Sequence, residues 1–344
     1  MRAAILKFCL PDSPEISEEE IRFFQESAAD LLPFLKKHRL QALFRQNLLK
    51  SKKMVFPEKI VSELDEQVQS TLRFNTVYFE ILSEINDKLS PKIEFFLLKG
   101  GDLILRLYQN KGLRPLDDLD FLIHPENLKE TEALLLELGF SETGDPEERR
   151  HHRILRRRAY SRFYKPLNSP FFIEIHWDLR WMFYHYNTLD LWKNSQEILF
   201  NKKPVKVFEY EDLFLYLGVH WMNHWRDKDR LIWACDLAWL INLGLVPWEK
   251  LWGKAARQNL APTLEIILYR LSFLWNFQFL KIPKEFIHGN TTLFQRGFRK
   301  LLTNSPWISS FLSWNAFPPE WKELFRGVKR TMKRGESIKT PWWT

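Results

Sequence analysis

The sequence predicts an α+β protein, with a short sheet-bearing middle set between two helical regions. Three observations carry this. Residues 17 to about 90 hold apolar side chains at helical spacing. Residues 91 to about 180 alternate short apolar runs with helical stretches. All 15 tryptophans lie at or after Trp177, which marks a change of core along the chain. The expected divisions are an N-terminal helical segment (1–90), a core (91–205), a C-terminal helical domain (206–325) and a basic tail (326–344).

Each element has a local reason. Ser17 ahead of Glu18, Glu19 and Glu20 is an N-cap followed by first-turn acids. Ile21, Phe24, Leu31, Leu35 and Leu40 continue near helical spacing, and a second helical run from Val61 stops before Ser90-Pro91. Ile93 to Leu98 suits a buried strand, and Asp102 to Gln109 is helical in style. Leu119 to Ile123 reads as a second strand, and Pro125 opens a helix that Gly139 stops. Arg153 to Tyr164 and Pro170 to Trp177 read as two strands joined by a proline-bearing turn. From about 207 to 315 the chain is again helical.

Composition narrows the class. Hydrophobic residues make up 45% and charged residues 27%, as in ordinary globular proteins. No apolar run approaches the ~18 residues of a spanning helix, so disordered, collagen-like and integral membrane classes are excluded. The first residues, broken by Lys7, make a poor signal peptide. Cys9 and Cys235 are too few for a disulfide framework or a cysteine-rich zinc site, and a cytoplasmic location is the expectation. The net charge of +8 attracts anions such as nucleotides, nucleic acid or acidic lipid.

Three short stretches carry chemistry. Gly100-Gly101 is the one adjacent glycine pair among only 12 glycines, at a strand-to-helix junction. Backbone without Cβ atoms admits an anion to the amides, although a tight turn alone also calls for glycine. Asp118 and Asp120 are two apart at the start of a strand, so both point to one side while Leu119, Phe121 and Ile123 point to the other. Two such carboxylates repel, and a divalent cation removes the conflict; an acidic turn before the strand is the alternative. Asp117 is in phase with Leu119 and is set aside. Glu174 is the lone acid of an otherwise apolar strand, which demands either a metal or an arginine on the neighbouring strand.

Together the glycine turn, the Asp-x-Asp strand and the late strand acid resemble the DNA polymerase beta-like nucleotidyltransferase superfamily. The wording LLKGGDLILRLY, LRPLDDLDFLI, LLLELGF and IEIHW looks more narrowly like its uncharacterised nucleotidyltransferase family. The resemblance covers about 93–180 and extends weakly into HWMNHWRDKDRLIWACDLAWL. One departure is the sixteen residues, 102 to 117, between Gly101 and Asp118, a longer gap than is usual. The resemblance implies a small mixed-sheet nucleotidyltransferase core and transfer of an NMP group from an NTP, such as ATP, to an acceptor hydroxyl. It implies Mg²⁺ or Mn²⁺ held by Asp118, Asp120 and Glu174, two ions about 4 Å apart clamping the attacking and leaving oxygens. Gly100 and Gly101 would seat phosphates, and Lys99 and Arg114 would neutralise the leaving pyrophosphate; Arg114 has Asp117 as its alternative partner.

Other residues fall on the acceptor side of this picture: His176, His220, His224 and Asp236. His220 and His224 have the i, i+4 spacing of a helical zinc pair, with core packing the plainer reading. Asp236 has Arg230 or Arg226 as expected partners, and His176 closes the Glu174 strand. Six arginines between Arg149 and Arg158 suit triphosphate steering or an acidic acceptor such as RNA. The acceptor itself (small molecule, protein or RNA) is not legible, and the rival function is a catalytically inactive nucleotide- or RNA-binding module of the same fold. The basic tail is too short for stable membrane insertion.

Overall fold

The computed structural model describes residues 2–11, 17–50, 56–143, 161–166, 169–181, 184–223, 230–275 and 279–283. The Arg149–Arg158 stretch, His224 and the basic tail lie outside them.

The N-terminal part is helical: α1 (Arg2–Lys7), α2 (Glu18–Glu26), α3 (Ala28–His38), α4 (Gln41–Lys50) and α5 (Glu58–Leu89). Ser17 does cap α2. Its hydroxyl accepts from the Glu20 amide, and the Glu20 carboxylate accepts from the Ser17 amide. Arg39, with φ of 60°, ends α3 in the left-handed conformation. Helix α5 buries Ile60, Leu64, Tyr78, Phe79, Leu82, Ile85 and Leu89, the stripe expected of a helix lying on a core. It also holds the loop that leads to the site. The Asn75 side-chain amide donates to the carbonyls of Lys111 (2.5 Å) and Arg114 (2.8 Å), and its oxygen accepts from the Leu116 amide. The Tyr78 hydroxyl donates to the Asp117 carbonyl.

The middle of the chain builds a mixed sheet. Strand β1 (Phe95–Leu98) leads into α6 (Lys99–Leu103) and one π-helical turn, Ile104–Tyr108. Then come β2 (Asp118–Ile123), a 3₁₀ turn at Pro125–Asn127, α7 (Leu128–Glu137), β3 (Phe140–Glu142), β4 (Ser161–Pro166) and β5 (Phe172–His176). The small pair β6 (Arg180–Trp181) and β7 (Tyr184–His185) and helix α8 (Thr188–Lys193) precede β8 (Ser195–Phe200) and β9 (Lys203–Phe208). The main sheet has seven strands in the order β3-β4-β5-β2-β1-β9-β8. Strand β2 is antiparallel to β1 and parallel to β5, and β1 is parallel to β9.

Both faces of this sheet are covered. Phe95, Leu97, Leu119, Phe121, Ile123, Ile173, Ile175, Val205 and Val207 form one core with α5 and α7. Phe96, Leu98, Leu122 and Phe208 join a second, larger core on the opposite face. That core takes Phe8, Phe24 and Phe44 from the N-terminal helices. It also takes Trp221, Trp239 and Trp275 from α9 (Tyr210–Asn223), α10 (Leu231–Asn242) and the residue after α12 (Ala261–Leu274). Helix α11 (Trp248–Arg257) adds Leu251 and Ala255. Helices α1–α4 and the C-terminal helices thus pack on one side of the sheet, and the second half of α5 packs on the other. The indole N–H of Trp239 donates to the Cys9 carbonyl at 2.8 Å.

The α+β expectation holds, and the four strands read from 91 to 180 are in place where described. The β8–β9 hairpin was not expected. Its turn, Asn201-Lys202, takes two left-handed residues (φ 49° and 65°) without the glycine that usually marks such a turn. Its alternation is also blurred by Pro204 and by exposed Leu199. Among the described residues, no helix is long and apolar enough to cross a membrane.

Candidate active site

Strand alternation decides where the acids point. Leu119, Phe121 and Ile123 enter the core under α5, so Asp118 and Asp120 face the other way. In the parallel register, Asp120 lies opposite Glu174 and Leu122 opposite His176. Ile173 and Ile175 go into the core, which leaves Glu174 and His176 on the Asp120 side. The three acids named from the sequence therefore share one face. Asp120 and Glu174 are buried.

Two cations sit among them. The Lys99 Nζ donates to Asp120 Oδ1 at 2.5 Å and lies 3.7 Å from Glu174 Oε2. The His176 Nε2 is 2.9 Å from Asp120 Oδ1 and 3.2 Å from Glu174 Oε2. Burial alone would discharge the His176 ring, but the carboxylates of Glu174 and Asp120 outweigh it and push its pKa up to about 9. Burial works against the Lys99 charge too, and Asp120 overcomes it, holding the ammonium well above its ordinary value. Asp118 is not compensated in this way. Burial first, then repulsion from Asp120, pushes its pKa up to about 7, against a pull from Lys99.

These groups open on a cavity of about 230 Å³. Asp118, Asp120, Glu174, Lys99 and Gly100 form one wall; Leu217, His220, Ile232 and Trp233 form an apolar and aromatic one. The His220 and Trp233 rings meet edge-on at 5.1 Å. Asp117 stands at the rim, where one carboxylate oxygen accepts from Arg39 and the other from Arg230 at 2.6 Å. Burial disfavours the Asp117 charge, but the two guanidiniums outweigh it and hold its pKa below the ordinary value.

Arg114 and Asp236 are placed differently from the expectation. Arg114 reaches the cavity, yet its Nε and Nη2 donate to Asp236 at 3.0 and 2.9 Å. Asp236 is fully buried beneath the cavity and also accepts from Tyr108 at 2.7 Å. The partners are exchanged relative to the sequence reading: Asp236 takes Arg114, and Asp117 takes Arg230. Burial pushes the Asp236 carboxyl up, with Arg114 and Tyr108 pulling the other way. This enclosed ion pair links the loop before β2 to α10.

The glycine turn has a packing reason. Helix α6 is a five-residue turn, and Lys99 itself takes the left-handed φ of 46°. A Cβ on Gly100 would strike Leu116 and come within 2.5 Å of Arg114 Nη1; one on Gly101 would come within 2.8 Å of Leu97 Cδ1. Arg114 is tied to Asp236 and has little room to yield. Gly100→Ala is therefore expected to lower stability by about 1–3 kcal/mol, read by chemical denaturation.

A divalent cation fits this face. Asp120 and Glu174 offer hard carboxylate oxygens within 4.8 Å of each other, and Asp118 lines the same cavity. Sequence reasoning missed the part of His176 in this cluster, although its i+2 spacing from Glu174 put it on the same strand face. It also missed Arg39, which no local pattern ties to a site some 80 residues away.

The chain belongs to the uncharacterised nucleotidyltransferase family, whose sequence model matches residues 25–276. Similar solved structures include the antibiotic-resistance factor ANT(2'')-Ia, at 15% identity over 53% of this chain and 91% of that one, with a TM-score of 0.36. Another is an antigenic nucleotidyltransferase-like protein from Paracoccidioides brasiliensis, at 16% identity over 64% and 98%, with a TM-score of 0.35. No curated protein matches the chain.

Proposed function

We propose that this protein transfers an NMP group from a nucleoside triphosphate to an acceptor hydroxyl, with release of pyrophosphate. The observation that supports it most is the convergence of Asp118, Asp120 and Glu174 on one cavity wall, next to Lys99 and Gly100. Asp118, Asp120 and Glu174 would hold Mg²⁺ or Mn²⁺, with His176 fixing the Asp120 and Glu174 carboxylates from the buried side. Bound there, a divalent cation supplies charge neutralisation and alignment for an in-line displacement at phosphorus. Leu217, Ile232 and Trp233 offer an apolar wall for a base, and His220 borders the space left for an acceptor.

A second reading has one observation in its favour. Lys99 and His176 already neutralise two of the three acids, as a nucleotide-binding module without turnover would need. The two readings part on a single assay. The protein is incubated with each nucleoside triphosphate, α-labelled, in Mg²⁺ and cell extract. Transfer predicts label on an acceptor and pyrophosphate release, both abolished by EDTA. Binding of nucleotide with pyrophosphate at the level of a no-protein blank contradicts transfer.

A further inference from the structure

Four cationic side chains line the cavity among the described residues: Arg39, Lys99, Arg114 and Arg230. Two are committed. Lys99 is held by Asp120, and Arg114 by the buried Asp236. Arg39 and Arg230 differ. Their shared partner, Asp117, is half exposed, and their own side chains are 27% and 25% exposed.

We propose that Arg39 and Arg230 form the clamp for the polyphosphate of the nucleotide, with Asp117 holding the two guanidiniums in place until phosphate replaces it. This rests on the nucleotide reading above and names the part of the cavity that takes the phosphate tail. The argument is one of charge and geometry. Two guanidiniums on one carboxylate leave a surplus positive charge at the rim, facing the acidic wall of Asp118, Asp120 and Glu174. The cavity is thus acidic where a cation would bind and basic where the distal phosphates would lie. Guanidiniums bind phosphate oxygens in pairs, and a triphosphate tail offers several anionic oxygens where Asp117 offers two. An exposed ion pair contributes about 0–1 kcal/mol, so its exchange for phosphate costs little. The two arginines come from distant parts of the chain, the end of α3 and the residue before α10. A bound phosphate tail would therefore bridge the two helical regions directly.

The test uses inorganic tripolyphosphate in EDTA, by calorimetry on the full chain, so that the acidic wall takes no part. Arg39→Gln and Arg230→Gln are each expected to weaken binding about 10-fold, as for one lost charged hydrogen bond. Asp117→Asn is expected to bind as tightly as wild type or more tightly, a gain that misfolding cannot produce. Arg39→Lys and Arg230→Lys, which keep the charge and lose the fork, are expected to fall between. Unchanged affinity in both glutamine variants, no binding by wild type, or a loss in Asp117→Asn equal to theirs would overturn the clamp. The two proposals fail separately. Clamp variants that lose tripolyphosphate while wild type never releases pyrophosphate sink transfer alone. Turnover with an unchanged KM in both glutamine variants sinks the clamp alone.

Discussion

Asp118→Asn is expected to abolish the proposed nucleotide transfer and to leave the fold intact. The expectation follows from where the acid sits. Among the described residues, Asp118 is the one carboxylate of the three without a hydrogen-bonded cation beside it, and burial and Asp120 push its pKa up to about 7. Its charge is therefore costly without a ligand. Asparagine keeps the shape and removes the repulsion, so thermal stability in EDTA is expected to stay level or rise at pH 8. The sign follows from linkage. A carboxyl whose folded pKa is raised loses stability as pH climbs from its unfolded value through the folded one, and asparagine escapes that loss. Activity is expected to move the other way, because losing a ligand would weaken the hold on the cation of the proposed transfer. A fall to blank level with an unchanged circular dichroism spectrum is the expected result; wild-type turnover removes Asp118 from the mechanism.

Asp236→Ala carries the largest expected cost in stability. The pair it forms with Arg114 is enclosed, with side-chain exposures of 8% for Arg114 and 0% for Asp236. Removing one partner of such a pair leaves a buried charge uncompensated, at about 3–5 kcal/mol. Tyr108 loses its acceptor as well. Replacing both partners by apolar residues, Arg114→Met with Asp236→Leu, is expected to recover most of that loss, since a dry core no longer has a charge to solvate. Chemical denaturation of the single and double variants measures the difference. Equal destabilisation in both would show that the loss comes from packing and not from charge.

Much of this was legible in the sequence because it depends on short-range alternation. Leu119, Phe121 and Ile123 set the phase of β2, and that phase alone puts Asp118 and Asp120 on the open face. The lone acid of β5 was visible for the same reason, as Ile173 and Ile175 fix which way Glu174 points. The pairing of arginines with acids was not legible. Asp117 and Arg114 are three residues apart, yet each bonds to a side chain from a distant part of the chain, and only the tertiary placement of α3 and α10 decides which. The β8–β9 hairpin was hidden because Asn201 and Lys202 adopt left-handed backbone without glycine. The glycine turn was visible but for an incomplete reason: Gly100 and Gly101 are also needed for the close approach of Leu116, Arg114 and Leu97.

Manganese binding followed by electron paramagnetic resonance goes straight to the proposed metal centre, without any need for an acceptor. Wild-type protein titrated with Mn²⁺ is expected to bind ion that Mg²⁺ displaces, and Asp118→Asn, Asp120→Asn and Glu174→Gln are each expected to weaken that binding at least about 10-fold, the lower bound seen when metal-site partners are removed. Mn²⁺ affinity that is the same in wild type and in all three variants would contradict the account.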